Sequence, residues 1–209
     1  MIIKTLVVTD FATNCYVLGC ARTHEGAIID PGGNAPAILA VVEELGLAIK
    51  YVINTHGHMD HTSANQAVLE GTGALLVAHK LEAPLLTDPV RNLSFLMGHS
   101  VSAPAPNLLV EDGHALDMGA MRWQVLHTPG HTPGGLSLYS VEQGIVFSGD
   151  TLFRAGVGRT DLPGGDYDIL LRSIADKLFT LPDETVVYPG HGPTTTIGHE
   201  KVHNPWLRV

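Results

Sequence analysis

Thr55-His56-Gly57-His58-Met59-Asp60-His61 follows directly on the apolar run Tyr51-Val52-Ile53. Three imidazoles and a carboxylate fall between His56 and His61, and such groups suit zinc, iron or manganese. One cation cannot easily take all four donors from so short a segment. The spacing therefore suggests two neighbouring metal ions, and metal-assisted hydrolysis as the first hypothesis.

Outward from this stretch, three more candidate ligands share one grammar. His131, in Thr128-Pro129-Gly130-His131-Thr132, follows the run Trp123 to Leu126. Asp150 ends Ile145-Val146-Phe147-Ser148-Gly149-Asp150, and His191, in Tyr188-Pro189-Gly190-His191-Gly192, follows Thr185-Val186-Val187. Each run reads as a buried strand. A glycine precedes each ligand and lets backbone come close to the site. Strands of one sheet would deliver all the ligands to one edge, so the metal site becomes a consequence of the architecture.

The rest of the chain bounds the reading. Its 209 residues are one large domain or two small ones, with ample material for a core. No apolar run reaches about 18 residues, so no membrane span is expected. Residues 1–8 alternate like a strand and lack the basic region and long apolar core of a signal peptide, which makes the cytoplasm the expected compartment. Cys15 and Cys20 flank Tyr16-Val17-Leu18. On an extended strand they are too far apart to bridge, so both read as small buried hydrophobes. The net charge is -9 with histidine neutral, and no basic run offsets it. Nucleic acid is disfavoured as a partner; a small-molecule substrate is expected.

Strands are expected at 2–8, 15–20, 26–30, 49–54, 74–78, 114–117, 121–127, 135–140, 144–148 and 185–188. A helix is expected at 34–46, with Asn34 as N-cap and Pro36 in its first turn. Another runs from Thr62 to Glu70, with its dipole favouring Asp60, and others at 80–87 and 166–179. Residues 88–113 are irregular, and read equally as a cover over the site or as an ordinary connection. The two similar halves, 1–88 and 114–191, suit an α/β architecture: a four-layer αβ/βα sandwich with the ligands at the common edge of its sheets.

The ligand order His-x-His-x-Asp-His, then His, Asp and His, resembles the metallo-β-lactamase superfamily over nearly the whole chain, and implies a single domain spanning 1–209. Gly149-Asp150-Thr151-Leu152-Phe153 and Tyr188-Pro189-Gly190-His191-Gly192 look like the glyoxalase II-like hydrolases of that fold. The resemblance implies that His56, His58 and His131 hold one metal, that Asp60, His61 and His191 hold a second, and that Asp150 bridges them. The cofactors implied are two divalent ions, zinc first, with iron or manganese as alternatives. The chemistry implied is attack of a metal-bridging hydroxide on an activated acyl group such as a thioester, with Asp60 also able to orient the hydroxide.

Two departures narrow the resemblance. True β-lactamases of this fold commonly carry cysteine at the position of Asp150 and are exported, so antibiotic hydrolysis is not expected. Glyoxalase II proper has a basic C-terminal helical extension for glutathione, whereas 18 residues follow His191 here. The match is better with short, single-domain relatives. Gly158-Arg159-Thr160-Asp161 also resembles the persulfide dioxygenases, which would use one iron on His56, His131 and Asp150; that is the alternative reading. Arg159 is an even choice between a clamp for a substrate carboxylate and a loop ion pair. Asp30 divides between support of a ligand histidine and turn stabilisation. His127 reads as a supporting or core residue and Tyr188 as packing under the His191 loop. His24, His79, His99, His114, His199 and His203 have no ligand context.

Overall fold

A computed structural model describes residues 1–207. Two six-stranded sheets stack face to face. The first runs, in spatial order, β1 (Ile2–Val8), β2 (Thr13–Gly19), β3 (Glu25–Ile29), β4 (Ala48–Ile53), β5 (Leu75–His79) and β6 (Leu108–Val110). The second contains β7 (Ala115–Met118), β8 (Met121–His127), β9 (Leu136–Ser140) and β10 (Ile145–Gly149). A short hairpin of β11 (Leu152–Phe153) and β12 (Gly156–Val157) leads to the last two strands of this sheet, β13 (Val186–Pro189) and β14 (Thr195–Thr196).

The period-two alternation of the strands sorts their side chains into three cores. Tyr16, Leu18, Ile29 and Ile53 face Trp123, Leu136 and Phe147 between the sheets. Their neighbours Val17, Ile28 and Val52 face outward against Ile38 and Val42 of α1 (Ala35–Glu44) and Val68 of a later helix. On the far side, Val146 and Val187 pack against Leu170, Ile174 and Leu178. This is the four-layer αβ/βα sandwich, and its inner strands are apolar on both faces because both faces are covered.

The expected strands all form, with ends shifted by at most two residues. The helices depart more. The expected helix from Thr62 to Glu70 is two pieces, α2 (Met59–Thr62) and α3 (Asn65–Thr72). The break falls where Ala64 donates its N–H to the Pro31 carbonyl at 2.9 Å instead of continuing the first helix. Asn34 precedes α1 but does not cap it: its backbone is left-handed at φ 52° and its side chain makes no cap bond. The helix expected at 80–87 shortens to α4 (Ala83–Thr87). The one expected at 166–179 is α5 (Tyr167–Ser173), which widens into a π turn at Ile174–Leu178. Not anticipated were β6, the β11–β12 hairpin, β14 and α6 (Ile197–His203). Both cysteines are buried and free. No helix of the described residues is long and apolar enough to cross a membrane.

Candidate metal centre

All seven expected ligands meet at one edge of the sandwich. His56 and His58 lie on the loop leaving β4, while Asp60 and His61 lie in α2. His131, Asp150 and His191 follow β8, β10 and β13. The last two strands pair in parallel, so their carboxyl ends deliver Asp150 and His191 to the same place. Three groups result, each with donor atoms within 4.8 Å of one another: His56, His58 and His131; Asp60, His61 and His191; and His56, His61 and Asp150. The third shares His56 with the first and His61 with the second, and so places Asp150 between them.

Four imidazoles are turned by hydrogen bonds on their outer nitrogens, which is how ligand histidines are commonly fixed. His131 Nδ1 donates to the Arg159 carbonyl at 2.7 Å, and His191 Nδ1 to the Phe11 carbonyl at 3.1 Å. His61 Nδ1 meets Asp30 Oδ2 at 3.0 Å. His56 Nδ1 meets Thr55 Oγ1 at 3.2 Å, and that hydroxyl donates to Asp30 Oδ2 at 2.6 Å. The inner nitrogens then crowd together. His61 Nε2 is 3.3 Å from His191 Nε2 and 3.5 Å from Asp150 Oδ1, while His58 Nδ1 is 3.0 Å from His131 Nε2. Asp30 thus holds two of the expected ligand residues, His61 directly and His56 through Thr55. Its turn is also shaped for this: a Cβ on Gly32 would overlap the Asp60 carbonyl.

The electrostatics separate the two ends of the cluster. Burial, with His61 and His131 adding, pushes His56 well below its ordinary range, and burial with His131 pushes His58 down to about 3. Both are neutral donors at pH 7. At the other end burial opposes charge but is overcome. Asp60 and Asp150 hold His61 well above its usual range, and hydrogen bonds to Asp150 and Asp60 raise His191 to about 10. In turn His61 and His191 keep Asp60 well below the carboxylate range against its burial. Thr13 Oγ1 donates to Asp60 Oδ2 at 2.9 Å and fixes that carboxylate.

Several supporting residues escaped the sequence reading. Glu82 is fully buried and joins two ligand loops. Its Oε2 accepts from Gly57 N–H, between His56 and His58, at 2.7 Å, and its Oε1 from Gly134 N–H, beyond His131, at 2.6 Å. Asn14 and Tyr16 both donate to the Pro189 carbonyl below His191. No local motif marks these residues, because every partner is remote in sequence. His127 supports the His131 loop by bonding the Pro133 carbonyl at 3.0 Å, and it stacks on His79. Tyr188 packs against Tyr16 and Phe147, as expected.

Gly190 shows how closely backbone approaches the ligands. A Cβ there would overlap Asp150 Oδ1 and sit 2.9 Å from His61 Cε1. Gly190→Ala is expected to fold but to lose about 10–100-fold in metal affinity, the scale for disturbing ligand supports. Competition against a chelator measures it, and wild-type affinity would show that the loop yields freely.

The cluster floors a cleft of about 280 Å³. Residues from 88–113 form one wall, so that segment does border the site. Arg159 also lines the cleft, with its guanidinium held bidentately by Asp161 at 2.8 Å on both nitrogens.

A family model described as the metallo-beta-lactamase superfamily matches residues 8–191. The chain is 36% identical over 209 residues to the hydroxyacylglutathione hydrolase GloC of Haemophilus influenzae, covering 99% of this chain and 98% of that protein. Among solved structures, the BLEG-1 B3 metallo-beta-lactamase superposes with a TM-score of 0.95 at 38% identity, covering 100% of both chains. ETHE1 from Myxococcus xanthus gives 0.83 at 35% identity, covering 98% of this chain and 84% of its own. TTHA1623 in a di-iron-bound form gives 0.87 at 37% identity, covering 98% and 100%.

Proposed function

This chain belongs to the metallo-β-lactamase superfamily, and on that premise we propose that it is a thioester hydrolase using two divalent metal ions. The observation that carries the reading is the pair of ligand triads with Asp150 between them. The fit of cations to these residues rests on the donors themselves. His56 Nε2 and Asp150 Oδ1 are buried with no hydrogen-bond partner, a costly state that a bound cation would relieve. An open cluster of histidine and carboxylate suits a catalytic rather than a cysteine-rich structural site. His56, His58 and His131 would hold one ion, and Asp60, His61 and His191 the other, with Asp150 between; zinc is the first choice, iron and manganese the alternatives.

Bound there, such ions supply a water whose pKa falls from 15.7 toward about 7 and a Lewis acid for a carbonyl oxygen. The protein's part is orientation. Thr13 fixes Asp60, whose free acceptor capacity can align a water against the substrate carbon. Apart from the ligands, the residues lining the cleft include no histidine, carboxylic acid or tyrosine to protonate a leaving group. A thiolate needs little such help, which favours a thioester over an amide. Among the described residues, Arg159 is the only arginine or lysine lining the cleft. Its pair with Asp161 is exposed and therefore worth little, so a carboxylate on the substrate's polar end can displace Asp161. Arg159→Ala, which keeps the carbonyl that orients His131, is expected to raise KM for a carboxylate-bearing thioester severalfold with kcat nearly unchanged. A fall in kcat alone would remove the clamp role.

The test is metal content per chain, followed by assay. Two metals and thioester hydrolysis support the proposal. One iron with oxygen consumption on a persulfide would instead establish the dioxygenase reading on His56, His131 and Asp150. The likeness to BLEG-1 makes a β-lactam the necessary control substrate.

Metal uptake should also move protons. His61 and His191 hold protons at neutral pH in the metal-free protein because their folded pKa values are raised. Ligation needs the neutral ring, so binding must release them. Up to about two protons per chain are expected at pH 7, and affinity should fall as pH drops. Calorimetry in buffers of different ionisation enthalpy counts the protons; zero release would contradict the charge assignment.

A further inference from the structure

The wall of the cleft formed by residues 92–97 carries apolar side chains with nothing over them. Leu96 and Met97 are 67% and 52% exposed, and both line the cleft with Leu93 and, from other elements, Met59, Phe11 and Leu162. The exposure is not slackness in the segment. Asn92 and Ser94 are fully buried and tie it down. Asn92 accepts Met59 N–H at 3.0 Å through its carbonyl and donates to the Val101 carbonyl at 2.7 Å, while Val101 N–H bonds Ser94 Oγ at 3.0 Å. Leu93 sits at φ 71°, a sparsely populated conformation for such a residue that is held where it faces the cleft. An anchored, strained segment that displays leucine and methionine beside a polar cluster marks a ligand-binding surface.

Building on the thioester reading, we propose that this wall binds an apolar acyl chain and that the protein selects thioesters by the hydrophobic length of their acyl group. The opposite arrangement, with the thiol carrier on the wall, fits less well. The common biological thiol carriers are long and polar, and a peptide thiol with two carboxylates needs fixed cations. Among the described residues the cleft offers Arg159 as its one arginine or lysine, too few for two carboxylates. A cleft of about 280 Å³ is at the small end for ligand sites, and takes an acyl group while the carrier leaves past Arg159.

The test varies the two ends separately. A series of thioesters from acetyl to hexanoyl on one neutral thiol is expected to show kcat/KM rising about fourfold per methylene, the gain for a buried CH₂. Extending the thiol instead should change little. The double variant L96S/M97S, made at exposed positions that the fold does not need, should flatten the acyl slope while metal content stays at the wild-type value. Calorimetry with thioethers, in which CH₂ replaces the carbonyl, gives a readout independent of turnover: affinity should rise with the same chain length, with negative ΔCp. Hydrolysis that ignores acyl length, or that follows the thiol side, overturns the acyl wall and leaves thioester hydrolysis standing. Hydrolysis of no member of the series overturns the thioesterase reading and the inference with it.

Discussion

Asp150→Ala is expected to lower kcat by about 10³-fold or more, equivalent to about 4 kcal/mol of transition-state stabilisation, with the fold intact. Asp150 stands between the two ligand triads: its carboxylate is 3.5 Å from His61 Nε2, 3.4 Å from His191 Nε2 and 3.6 Å from His131 Nε2. A divalent pair held this way depends on the shared negative group, both for spacing and for offsetting charge. Alanine removes it and leaves five imidazoles to face two cations, with Asp60 as the remaining carboxylate. The fold should survive because Asp150 lies just past β10, outside the three apolar cores. The checks are hydrolysis rate, metals per chain and the circular dichroism spectrum. A variant with near wild-type turnover would sink the proposed centre; one that unfolds would show that the carboxylate stabilises the metal-free protein, and Asp150→Asn would then be the cleaner probe.

The second large effect is expected at Glu82, a residue that touches no ligand side chain. Glu82→Ala strands the buried N–H groups of Gly57 and Gly134, at about 1–3 kcal/mol each. The expected loss of stability is about 2–5 kcal/mol, a fall in Tm of roughly 5–15 °C for a chain of this size. Metal affinity should fall with it, because the same two bonds hold the His56–His58 loop against the His131 loop. Glu82→Gln is expected to lie between, since its amide can accept from only one glycine and presents N–H to the other. Thermal unfolding of the metal-free and metal-loaded forms separates the effects: a stability loss alone, with metal affinity unchanged, would make Glu82 a fold residue and not a support of the site. Both partners are glycines for a steric reason as well, since a Cβ on Gly134 would lie 2.9 Å from Glu82 Cγ and one on Gly57 3.1 Å from its Oε2.

The legibility of the site follows from its chemistry. His56, His58, Asp60 and His61 could be read together because four donors in six positions leave a mark in one window. His131, Asp150 and His191 could be read because each repeats strand, glycine, donor. Glu82, Thr13, Asn14 and the carbonyls of Phe11 and Arg159 leave no such mark. Their roles depend on partners up to 180 residues away, and any acidic or polar residue in a helix or hairpin looks the same in sequence. Asp30 stood between two roles for this reason; the structure places His61 and Thr55 against its carboxylate. The wall at 92–97 was equally undecided, because an irregular stretch with prolines reads the same whether it borders a site or merely connects.

The sequence by itself determined the ten main strands, the layered architecture and the seven candidate donors, because each is written in local periodicity or in short-range spacing that survives without coordinates. The grouping of the donors, with Asp150 between the triads, came from the family resemblance; only the tertiary structure decided what turns each ring. It also decided that α2 and α3 are separate, through the Ala64 bond to Pro31, and that Leu93, Leu96 and Met97 face the cleft. Those features are set by contacts between separate segments, which no local pattern records.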